Sequence, residues 1–202
     1  MVYEKRRWWT SVLLLIIVIG AAGCGDSSSD AGGTASETPS QDSQSEREKM
    51  PEMTSGQRKA LRSAQTRIDI SPNSKKALIL LLSRSVAEAG DGHSKADATF
   101  AANNVIADWN AEALESARMI LKSAGYSRGE LRAMLIEGEG FTPAQVQYAV
   151  NNAQANWNEE AVESATSYRK RGGYSRDELI QKLIKWEEFT PAQARYAVNK
   201  VY

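Results

Sequence analysis

The stretch FTPAQVQYAVNN, Phe141–Asn152, returns forty-eight residues later as FTPAQARYAVNK, Phe189–Lys200. Each phrase is punctuation for a helix. Thr142 and Thr190 stand where an N-cap hydroxyl accepts a backbone N–H, and Pro143 and Pro191 take the first helical position, where no N–H is needed. Gln145 and Gln193, three residues past the threonine, close a capping box. Phe141 and Phe189, just ahead of the cap, can staple onto the helix they introduce. A helix start written twice at fixed spacing argues for an all-α tandem repeat.

Outward from that phrase the duplication is complete. Residues 107–154 align with 155–202 at an offset of 48 without a gap, with 27 identities. A fainter copy lies upstream. Ala60, Ala64, Ser74, Leu78 and Leu82 match Ala113, Ala117, Ser127, Leu131 and Leu135 at an offset of 53, and His93, Ser94, Ala96, Phe100, Ala101 and Asn103 continue at an offset of 48. The five-residue difference falls within Ser85 to Gly92.

Each copy encodes three short helices. Asn110 and Asn158 precede Ala/Glu-rich runs and read as N-caps. Ala113, Leu114, Ala117, Ile120 and Leu121 form the apolar stripe of the first helix. Gly125 and Gly173 read as left-handed residues that close it. Ser127-x-x-Glu130 and Ser175-x-x-Glu178 are capping boxes for the second helix, which buries Leu131, Leu135 and Ile136, or Leu179, Leu183 and Ile184. Gly140 breaks this helix in the middle copy. Tyr148 and Ala149 are expected on the inner face of the third. A unit this small buries little core alone, so Trp109 and Trp157, at the boundaries between copies, read as packing between units.

The N-terminus reads as an address. Lys5, Arg6 and Arg7 precede the apolar run Val12–Ile19, then Gly20-Ala21-Ala22-Gly23 and the single cysteine, Cys24. The string Ala-Ala-Gly-Cys resembles a bacterial lipobox, in which cleavage after Gly23 leaves a lipidated Cys24 as the first mature residue. The uncleaved alternative, a membrane helix, is disfavoured because Trp8 to Gly23 falls short of the roughly 20 residues a spanning helix needs. From Gly25 to about Gly56 the chain is polar and Ser/Gly-rich and reads as a disordered tether with an r.m.s. reach of about 30 Å. The organisation expected is a signal peptide at 1–23, lipidated cysteine and tether at 24–57, a degenerate first repeat at 58–106, a second at 107–154 and a third at 155–202.

Composition narrows the functional classes. The 202 residues carry 25 basic and 25 acidic side chains. From residue 58 onward the excess is only +3, too little for a phosphate-binding face, so no nucleic-acid partner is expected. One cysteine and one histidine leave no disulfide framework and no Cys/His metal set. With no nucleophile–base pair or phosphate loop, no catalytic residue and no cofactor are assigned.

These residues also carry a resemblance. The string A-D-W-N-x-x-A-x-x-S-A, then G-Y-S-R-x-x-L, then F-T-x-x-Q-x-x-Y-A-V-N resembles the Ltp-type host cell surface-exposed lipoprotein repeat, strongly over 107–202 and weakly over 58–106. The resemblance implies a lipid-anchored, extracytoplasmic protein with tandem helix-turn-helix-like repeats, exposed at the bacterial surface. Phage and prophage members are associated with superinfection exclusion, in which DNA injection by an incoming phage is blocked. The implied partner is a phage tail or injection protein. A cell-envelope lipoprotein with no phage role is the alternative. This chain departs from the pattern at His93, where the other copies have Phe141 and Phe189, and at Ile120, where the last copy has Tyr168.

Candidate binding residues are few. Arg128 and Arg176 follow the cap serines. Lys170, Arg171 and Trp186 are special to the last copy, and Trp186, in place of Gly138, is either extra packing or an exposed contact. The repeated aromatics Tyr126/Tyr174, Phe141/Phe189 and Tyr148/Tyr196 read as core rather than as a binding stripe.

Overall fold

A computed structural model of the chain describes residues 53–202; the expected leader, Cys24 and most of the expected tether lie outside the described residues. The described residues are all helical, with no strand among them. They form three successive trios. The first is α1 (Ser55–Ile70), α2 (Lys75–Ser83) and α3 (Lys95–Asn104). The second is α4 (Trp109–Leu121), α5 (Arg128–Ala133) and α6 (Pro143–Asn152). The third is α7 (Trp157–Arg171), α8 (Arg176–Lys185) and α9 (Pro191–Val201). In each trio the first and third helices pack most extensively.

The three cores are one core written three times. Ala60, Ala113 and Ala161 are equivalent, as are Ala64, Ala117 and Ala165, and all are fully buried. Leu78, Leu131 and Leu179 fill one position of the second helix, and Leu82, Leu135 and Leu183 the next. On the third helix Ala101, Ala149 and Ala197 are buried, flanked by Ala98/Val146/Ala194 and Ala102/Val150/Val198. Alanine recurs where the first and third helices meet because a small side chain lets their backbones approach, while leucine from the second helix fills the space beneath. The faint first copy therefore keeps the whole frame, with smaller residues in it.

Helix starts follow the sequence's punctuation. Thr142 and Thr190 cap α6 and α9 with reciprocal bonds to Gln145 and Gln193. Ser127 and Ser175 do the same with Glu130 and Glu178, and Thr54 with Gln57 opens α1. Phe141 and Phe189 are buried, and their N–H groups bond to Leu135 O and Leu183 O at 3.0 Å. His93 N–H bonds to Leu82 O at 2.9 Å in the same way. His93 thus occupies the phenylalanine slot, half-buried, with Nε2 2.9 Å from Ser63 Oγ. The longer first-copy connection folds as a 3-10 turn, Val86–Glu88, and is tied to α1 by the Arg67–Asp91 ion pair at 2.7 Å.

Three expectations are corrected. The N-caps of α4 and α7 are Asp108 and Asn156, not Asn110 and Asn158, whose N–H groups instead bond to those caps. Gly173 does adopt a positive φ, 87°, following Gly172 at 77°, but Gly125 does not. Gly125 is needed for space: a Cβ there would stand 2.2 Å from Glu160 O and 2.6 Å from Ser164 N of α7. Tyr148 is not on the inner face but exposed. In the middle copy α5 runs on as a π-helical turn, Met134–Gly138, before Gly140 turns the chain at φ 77°.

Candidate functional site

The surface that distinguishes one trio from the next is where they meet, and the joints are built by a common rule. Trp109 begins α4 yet packs on the core of the first trio, and Trp157 begins α7 yet packs on the core of the second. Three residues on, a glutamate reaches back. Glu112 Oε2 accepts the Asn73 N–H at 3.0 Å, and Glu160 Oε2 accepts the Tyr126 N–H at 3.3 Å. Asn73 and Tyr126 are equivalent, each preceding the cap serine of a second helix. Burial pushes the Glu112 and Glu160 carboxyls up, and the accepted N–H holds each back.

A second set of contacts reinforces each joint. Between the first and second trios Ser74 Oγ donates to Glu139 O at 2.5 Å, and the Glu139 side chain accepts from Ser116 Oγ. Burial raises the Glu139 carboxyl, against the pull of that hydroxyl. Between the second and third trios, Glu130 meets Glu187. Burial, then the hydrogen bond and negative charge of Glu187, push Glu130 up to about 8. Glu187 also accepts from Tyr168 Oη at 2.5 Å. The Tyr168 hydroxyl is raised by burial and by that glutamate. Across the same joint the Arg128 guanidinium lies 5.2 Å over the Trp157 ring.

Cys24 and Gly23 lie outside the described residues. Arg128 is in the joint, as a cation over tryptophan. Arg176, its counterpart, is exposed and donates to Asn199 Oδ1. Lys170 and Arg171 are exposed at the end of α7, with Arg171 5.6 Å over Tyr168. Trp186 is 53% exposed, so its ring lies on the surface rather than in the core. The Lys182 ammonium stands 5.2 Å from its ring and 5.3 Å from that of Tyr168. Arg176 is turned toward α9 and Trp186 toward Lys182 and Tyr168, while Arg128 belongs to the interior joint. Of the repeated aromatics, Phe141 and Phe189 are core, Tyr126 is half-buried, and Tyr148 and Tyr174 are exposed. Among the described residues no group of three or more His, Cys, Asp or Glu is placed to hold a metal ion.

Sequence reasoning missed the joint glutamates. Glu160 reads as a first-turn acid that offsets the helix dipole, which its position satisfies without any partner. The signal that marks it is Trp-x-x-Glu, present at both boundaries as Trp109/Glu112 and Trp157/Glu160.

Fold and joints define the class: a short tandem array of helix-turn-helix-like trios that borrow one another's tryptophan and carboxylate. Residues 108–153 and 156–201 each match the family model described as host cell surface-exposed lipoprotein. A solved structure, that of Ltp, a superinfection exclusion protein from the Streptococcus thermophilus temperate phage TP-J34, is similar at 26% identity. It covers 48% of this chain and 99% of its own, with a TM-score of 0.46. No curated protein matches. The matched family is described as exposed at the host cell surface, and no helix among the described residues is long and apolar enough to cross a membrane.

Proposed function

We propose that this protein is a lipid-anchored surface lipoprotein that acts by binding, and that it excludes superinfecting phage by capturing a tail or injection protein and stopping DNA passage. The observation that carries the reading is the pair of tandem repeats of a host cell surface-exposed lipoprotein family. Cleavage after Gly23 and acylation of Cys24 would hold the trios at the outer face of the membrane. The polar tether gives them reach, and confinement near the injection site supplies effective concentration without any new contact. The near-neutral helical surface suits a protein partner better than DNA.

Expression in a phage-sensitive host tests it. Adsorption should be normal while DNA uptake and plaque formation fall; normal adsorption with undiminished DNA uptake overturns the phage role. Cys24→Ala should release the protein from the membrane fraction and abolish most of the protection. Full protection by the unanchored form would remove the tether from the mechanism.

A further inference from the structure

The two joints follow a rule that the third trio carries only on one side. At each joint a helix headed by tryptophan, with glutamate three residues on, lies over the start of the preceding second helix. On the third trio the matching positions are uncovered. Gly125 to Glu130 are buried or half-buried except for Arg128, whereas Gly173 to Glu178 are all exposed. A Cβ at Gly125 would strike α7, but one at Gly173 would meet nothing within 4 Å. A shallow cleft lies over these positions, with Tyr174, Lys182, Lys185 and Trp186 in its wall.

The cleft differs from the interior joint in a consistent direction. Lys182 stands for Met134, Lys185 for Glu137 and Trp186 for Gly138, and net charge over residues 170–186 is +3, against +1 over 122–138. Asp177 and Glu178 also line it, but Glu178 is engaged by the hydroxyl and N–H of its own cap, Ser175.

We propose that this end face docks a helix start of another protein, headed by an aromatic residue, with glutamate at its fourth position and further acidic residues in its first two turns. The aromatic ring would lie under Arg176 as Trp157 lies under Arg128. The glutamate would take the Tyr174 N–H as Glu160 takes that of Tyr126. The extra acids would meet Lys182 and Lys185. A second copy of this chain is the wrong occupant. Where α7 has Trp157, Glu160 and Glu163, α1 has Gly56, Lys59 and Arg62, so a head-to-tail pair would bring lysine to the N–H and cations toward cations. The chain's own Trp109 and Trp157 are committed to its own cores. The inference does not require the partner to come from a phage.

The test uses the full chain in detergent and a stapled helical peptide with the sequence of residues 155–169 as the probe. Amide signals of Gly173, Tyr174 and Asp177 should shift on titration. A peptide with lysine at the Glu160 position, and a chain carrying Lys182→Glu with Trp186→Ala, should each bind about tenfold more weakly. Both substituted residues are exposed or half-buried, and unchanged helix content will show that the variant folds. Equal binding by both peptides, equal binding by the variant chain, or no shift at Gly173 and Tyr174 at millimolar peptide overturns the proposal. So does concentration-dependent self-association that the peptide cannot compete away. A variant that loses peptide binding but still excludes phage leaves the docking face standing and separates it from the exclusion activity.

Discussion

Glu130 and Glu178 hold the same capping-box position and titrate in opposite directions, so the environment of the joint is read by a single carboxyl. In the interior joint Glu130 is pushed up to about 8 by burial and by Glu187. On the open face Glu178 is pulled below its ordinary value by the hydroxyl and N–H of Ser175. The sign for Glu130 follows from linkage. Its folded pKa lies above its unfolded value of 4.5, so the native state holds a proton that the unfolded chain has lost. Stability then falls as pH rises from about 4.5 to about 8 and gains no further slope from this group above that. Glu130→Gln should flatten the slope in that window and stabilise the protein near pH 9 by about 1–3 kcal/mol, as read by denaturant titration across pH. Glutamine keeps the cap, since Gln57, Gln145 and Gln193 already perform it. A second residue-scale test concerns the opening phrase. Thr190→Ala should cost about 1 kcal/mol in equilibrium unfolding, because it orphans the Gln193 N–H.

At the scale of the helices, the joint depends on backbone proximity as much as on side chains. Gly125 sits against the backbone of α7, which cannot yield as a flexible side chain could. Gly125→Ala should therefore cost about 1–3 kcal/mol and speed exchange of the Tyr126 amide, whose bond to Glu160 the displaced helix would break. Unchanged Tyr126 protection would show that α7 does not rest on this glycine. The same residue marks a limit of sequence reading. A glycine after a helix can serve a left-handed turn or a close approach, and both demand only that Cβ be missing. Gly173 does the first and Gly125 the second, though they align. The cap shift from Asn110 to Asp108 has a similar cause. Asp-Trp-Asn and Asn-Trp-Asn each offer two capping side chains, two residues apart, and only geometry chooses between them.

At the scale of the whole molecule, the repeat, its three-helix content and the buried frame were legible because each rests on local chemistry: hydroxyl caps, proline at the first turn, and leucine and alanine at helical spacing. Even the weak first copy aligned on the residues that became its core. The joint carboxylates were not legible, because a glutamate in a first turn looks the same whether its partner is the helix dipole or a neighbour's N–H. Exposure of Trp186 was equally undetermined, since burial depends on what lies across from α8. The candidate site was therefore only half visible. Trp186 could be named, but not the fact that it lines a cleft with Gly173 and Tyr174.

Because Trp157 completes the core behind it, the sequence period and the packing period run out of phase. Reckoned by identity, the second copy ends at Gln154; reckoned by hydrophobic closure, it extends three residues further. A recombination crossover at the 154/155 boundary would carry off a ring that packs on its upstream neighbour's core, whereas one just past Trp157 would leave that ring in place. An internal copy is exchanged without uncovering its neighbour's core where an equivalent tryptophan is handed across the cut, while the third trio closes its own core without one.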